Sequence, residues 1–229
     1  MPSARTSIQD DQPLTIASMG ADQASEPRQA QFANEPLALE RIVFFSDAVI
    51  AIAITLLTID LRLPDISGAT DATFLQALAN LFPEYFAFFI SFAVIAIYWI
   101  AHHRMFRFIV DWDGGLVGIN LVFLFFVVQQ PLLASILGSY GNLSSATAVY
   151  AIGLSLMGFS SVLLWIYAVQ RRLVSPDMSP SLIRYVGVRS AGAAVVFAVS
   201  APLAFVSPQL AQVSWLAAAI ISFTFRRQP

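Results

Sequence analysis

The chain has 229 residues, 58% of them hydrophobic and only 11% charged, where a soluble domain carries about 25% charged residues; it therefore reads as an integral membrane protein. The formal charge of −2 points away from a nucleic-acid role. The absence of Cys excludes disulfides and thiolate metal sites, and with only two histidines, side by side at His102 and His103, His-rich metal chemistry is not expected.

Residues 1–36 are rich in Asp, Gln, Ser, Ala and Pro, contain no apolar run, and read as a disordered polar tail. No apolar stretch follows a basic start, so they do not read as a signal peptide. Residues 37–229 read as one all-α, polytopic domain of six transmembrane helices. The first span, about Leu39–Leu63, stops at Pro64 and the ISGATD that follows. Asp71–Leu81 is mildly amphipathic and reads as a short interfacial helix. The second span, about Pro83–Phe108, starts on a proline suited to a first helical turn. The third, about Leu116–Leu137, holds Asn120 and Gln129-Gln130-Pro131, and Pro131 is expected to kink or weaken its outer end. The fourth covers about Ala146–Gln170 and ends at Arg171-Arg172 and the breaker run SPDMSPS. The fifth covers about Tyr185–Phe205, and the sixth about Leu210–Phe225.

Arginine placement orients these spans. With the N-terminus inside, the inner segments hold every Arg except Arg62. This bias predicts six spans with both termini cytoplasmic. The loop after the first span carries Asp60, Asp65 and Asp71, with Glu84 beyond them; it reads either as a solvated loop or as a negative mouth that concentrates cations.

The first span organises the rest. Between Ile42 and Ile59 it is apolar except for Ser46, Asp47, Thr55 and Thr58. A carboxylate at such a depth costs at least ~2.5 kcal/mol in lipid and needs protein or water around it. Asp47 and the His102-His103 pair lie at matching depths on helices of opposite direction, so Asp47 or Ser46 is expected to bond an imidazole. That pairing reads as a polar clasp between helices or, alternatively, as a proton relay. Ile52, Leu56 and Ile59 follow i, i+4, i+7 and form one stripe, with Thr55 beside it. Such a stripe commonly packs; if several copies surrounded an axis it would form hydrophobic rings able to close a pore by dewetting. No metalloprotease, nucleophile-elbow or Walker motif is present, and neither is a TVGYG filter or a voltage-sensing Arg helix. The chain does not read as an enzyme.

Arg41, Phe45, Ser46, Asp47 and Ala48 spell R-x-x-x-F-S-D-A, followed by AIAITLLTID; Trp99, His102, His103, Arg104 and Phe106 spell W-x-x-H-H-R-x-F. These patterns resemble the first and second helices of the transmembrane protein 175 family of potassium channels. The later four spans match only in number and apolar character. The resemblance implies a homotetramer in a bacterial plasma membrane, with four first helices lining a pore for potassium ions. By distance from the motif, the narrowest ring falls on Ile52, further rings on Leu56 and Ile59, and the threonine layer linked to potassium preference on Thr55. Arg41, Phe45, Ser46 and Asp47 would bind the first helix to its neighbours, with Trp99 and His102 or His103 as partners. The expectation is a potassium channel subunit working in the lipid bilayer without a cofactor. The competing readings are a proton-coupled secondary transporter using Asp47 with His102 or His103, and a non-conducting scaffold.

Overall fold

A computed structural model describes the backbone of residues 26–59 and 61–224, and the side chains of 38–59 and 61–218. The expected polar tail lies outside the described residues up to residue 25. The described chain is helical: α1 (Glu26–Leu56), α2 (Asp71–Asn80), α3 (Phe82–Phe106), α4 (Gly114–Val128), α5 (Gln130–Tyr140), α6 (Ser144–Gln170), α7 (Pro180–Leu203) and α8 (Pro208–Thr224). Phe82–Phe106, Gly114–Tyr140, Ser144–Gln170 and Pro180–Leu203 are long and apolar enough to cross a membrane. The chain is thus a multi-pass membrane protein.

The boundaries differ from the sequence reading where local chemistry intervenes. Helix α1 is already formed at Glu26, well before Leu39, and stops at Leu56 rather than Leu63. Its end tightens into i→i−3 turns, with the amides of Leu57, Thr58 and Ile59 donating to Ile54, Thr55 and Leu56. The Thr55 and Thr58 hydroxyls donate to the carbonyls of Ile52 and Thr55 at 2.8 Å, a competing bond that loosens the α pattern. Ile59 therefore sits in a turn, beyond the helix proper.

The third span is two helices. Pro131 has no amide to give to Val127, and its ring crowds that carbonyl, so α4 ends and α5 begins around Gln129. The Gln130 side chain donates to the Phe126 carbonyl at 3.2 Å, compensating one acceptor at the break. Part of the SPDMSPS run is a helix start, not a breaker. Ser179 caps α7 by accepting the Leu182 amide, and Pro180 takes the first helical position, where its missing amide costs nothing. Helix α2 opens with a capping box between Thr70 and Thr73.

Helix α6 is the central element, with buried residues on every turn from Ala146 to Ala168. Small residues permit close approach: a Cβ on Gly158 would meet the Tyr98 hydroxyl and Ala194. One core cluster joins Ile50, Ile95, Phe123, Tyr150, Met157 and Phe197. A second, at the Arg-rich end, joins Met105, Leu116, Leu164, Trp165 and Val186. At that end the α3–α4 and α6–α7 loops pair, Val110 N–H donating to Leu173 O and Ser175 N–H to Phe108 O, both at 2.9 Å.

Candidate functional site

Helix α1 has two unlike faces. Ser46, Ile50, Ala53 and Leu57 follow i, i+4, i+7, i+11 and are buried against α3 and α4. The opposite face is exposed: Ile52 is 58% exposed, Leu56 39% and Ile59 50%, and Phe45 and Thr55 lie open beside them. Arg41 is also exposed. The stripe expected from spacing thus points away from the protomer that carries it.

The buried face is held by a polar chain through three helices. The Ser46 hydroxyl donates to the Ile42 carbonyl at 2.8 Å and accepts from the Asn120 Nδ2 group at 2.9 Å. Asn120 Oδ1 lies 2.9 Å from His102 Nε2. Because Ser46 spends its single proton on Ile42, Asn120 must offer Ser46 its amino side, and so it presents its carbonyl to His102. The histidine tautomer follows: Nε2 carries the proton. Ser46, Asn120 and His102 are all essentially inaccessible. The imidazole lies parallel to Phe123, with centroids 5.2 Å apart, and within 4.5 Å of Phe106. Among the described residues its buried Nδ1 has no hydrogen-bond partner.

Asp47 takes a separate partner. Trp99 Nε1–H donates to its Oδ1 at 2.8 Å, and the indole lies 6.0 Å from the His103 ring. The expected contact between Asp47 and an imidazole is therefore replaced. The carboxylate pairs with Trp99, and the serine reaches His102 only through Asn120. Asn120 is the residue that sequence reasoning missed. Its signal was present, because a lone amide in an otherwise apolar span must find a partner when buried. Spacing along one helix gives no clue to which helix supplies it.

A second polar group fixes the Arg-rich end. Asp113 caps α4 by accepting the Leu116 amide at 2.8 Å, and both its oxygens accept from the Tyr167 hydroxyl. Arg171 Nε approaches at 3.4 Å. The Leu116 amide first, then Tyr167 and Arg171, hold the Asp113 carboxyl below the usual carboxylate range. Among the described residues no three His, Asp or Glu side chains gather as a metal site.

The family model described as endosomal/lysosomal potassium channel TMEM175 matches residues 41–131, the segment that contains Arg41, Asp47, Trp99, His102 and Asn120. A potassium channel of Streptomyces collinus is 32% identical over 175 residues, 74% of this chain and 84% of that protein. This chain belongs to the TMEM175 family. A Chamaesiphon minutus potassium channel is 36% identical over 44% of this chain and 49% of its own length. The crystal structure of a Chamaesiphon minutus homolog of the lysosomal potassium-selective channel TMEM175 superposes with a TM-score of 0.73 at 26% identity, covering 82% of this chain and 98% of that one. The human relative, named an endosomal/lysosomal proton channel, is 34% identical over 43% of this chain and 21% of its own length. The family is one of ion channels.

Proposed function

We propose that this chain is a potassium channel subunit, four copies of which surround an axis lined by α1. In this reading its six membrane-crossing segments are α1, α3, α4 with α5, α6, α7 and α8 in a bacterial plasma membrane, and the Arg distribution supports both termini in the cytoplasm. The observation that carries the reading is the opposition of the two α1 faces: one locked through Ser46 and Asp47, the other apolar and unpartnered at Ile52, Leu56 and Ile59. Brought together around an axis, that outer face forms stacked apolar rings, and a ring too narrow for hydrated ions closes by dewetting. Thr55 donates its hydroxyl proton to the Ile52 carbonyl, which leaves its oxygen lone pairs free for a partly dehydrated cation. Arg41 and Phe45, on the same exposed face, supply contacts to a neighbouring subunit.

The vertebrate relatives are named proton channels, and a proton-coupled transporter remains the competing class. The Asp47–Trp99 bond favours the clasp over a relay, because indole cannot pass a proton on as imidazole can. Planar-bilayer recording tests the proposal. Unitary steps are expected, with a reversal potential that follows the potassium gradient, and Ile52→Asn should raise the open fraction by wetting the ring. Smooth, step-free flux that follows the proton gradient, and is uncoupled by Asp47→Asn in folded protein, would instead establish the transporter.

A further inference from the structure

On the side of α3 away from the Asp47–Trp99 contact, a cleft of about 440 Å³ opens between α3, α7 and α8. Its walls include Phe86 and Ala93 from α3, Phe197 from α7, and Trp215 and Leu216 from α8. The rear wall is fixed, since Trp215 Nε1 donates to Ser200 Oγ at 2.8 Å. From Phe86 to Tyr98 the groove follows α3 for about 18 Å at ~1.5 Å per residue, an elongated rather than a compact shape.

The two glutamines of the lining, Gln209 and Gln212, stand together at one end, in the first turns of α8, while the Tyr98 hydroxyl at the other end is buried beside Gly158 and Ala194. The Gln212 amide is committed to the Gly141 carbonyl and the Thr147 hydroxyl. Gln209 accepts from Ser207 Oγ through its Oε1, which leaves its amide N–H groups to donate outward. The same end holds the N-terminus of α3, so the polar rim sits at the membrane surface and the apolar groove descends from it. A donor at the surface and a long apolar slot below match an ester-linked acyl chain: the ester carbonyl accepts from Gln209 and the tail lies along Ala93 and Trp215. We infer that this cleft binds an acyl chain of a membrane phospholipid, an inference that rests on reading α8 as a membrane span.

The test uses the full chain in phosphatidylglycerol vesicles doped with a phospholipid bearing a photoactivatable diazirine on its acyl chain. After irradiation, adducts are mapped by mass spectrometry. Peptides spanning the cleft on α3 and α8 should carry several-fold more adduct than the α6 peptide with the exposed residues Val149, Ile152 and Leu156. Ala93 is itself exposed in the groove, so Ala93→Trp should fill it and reduce cleft labelling to the α6 level, while Ala93→Ser keeps it. Leu216→Trp, at a position 63% exposed, serves if Ala93→Trp does not fold. Cleft labelling no greater than that of α6 overturns the inference, whether the groove is empty or is covered by a second copy or by the chain's own C-terminal residues. Labelling requires no conductance, so its outcome is separable from the current recordings.

Discussion

A single amide at Asn120 receives the imidazole proton of His102 and gives one of its own to Ser46, so one side chain on α4 connects α3 to α1. All three groups are buried, and the outer two each lose a partner if the middle one is removed. Asn120→Leu is close in volume, yet it leaves the His102 Nε2–H and one Ser46 lone pair unsatisfied. A buried orphan costs ~1–3 kcal/mol, while interhelical bonds inside membranes average nearer 0.6. The expected loss is therefore ~1–3 kcal/mol, read as a lower unfolding temperature in detergent. Stability equal to that of the unmodified chain would show that the network does not hold α1. Asn120→Asp is a harsher change, because it places a carboxylate at a position closed to solvent.

At the level of the element, α1 is an α-helix whose last turn is loosened by its own threonines, and the α4–α5 pair is one span broken by a proline. Helix α6 shows the opposite device, a continuous helix made thin enough to be surrounded. Gly158 lies against the Tyr98 hydroxyl and the backbone of Ala194, so a side chain there has nowhere to go. Gly158→Val is expected to push α3 and α7 apart and cost ~1–3 kcal/mol by overpacking, again as a fall in unfolding temperature. Gly114→Ala is the control: a Cβ there meets nothing within 4 Å, and little change is expected.

Across the whole molecule, the Arg-rich end is tied by the paired loops and by Asp113, which joins α4 to α6 through Tyr167 and Arg171. The Asp113 carboxyl titrates below its ordinary value in the folded chain, so the folded state favours its charged form. That stabilisation is complete above the unfolded carboxylate value of ~3.9 and disappears as pH falls through the lower folded value. Asp113→Ala should therefore unfold at a lower temperature than the unmodified chain at neutral pH, and the gap should narrow steadily in acid. A gap independent of pH would mean that the carboxylate's charge contributes nothing.

Much of this was readable before any coordinates. Composition fixed the solvent, because a chain so poor in charge cannot be covered by water. The Phe45-Ser46-Asp47 and Trp99-to-Arg104 patterns carried the family resemblance, since they place polar groups that need partners inside otherwise apolar spans. The helix edges were less legible at Thr55, Thr58, Ser179 and Pro131, where a hydroxyl or a missing amide acts over a single turn. Asn120 escaped because its partners lie far off in sequence.

The residues alone determined that the chain lives in a bilayer and that α1 carries both a polar lock and an apolar stripe, since periodicity and hydropathy are local properties. Only the tertiary structure decided that Trp99 rather than histidine meets Asp47, that Asn120 completes the lock, and that the Ile52 stripe faces outward. Pairing depends on which helices lie side by side and how each is rotated, and that is set by the packing of all of them together, not by the spacing along any one.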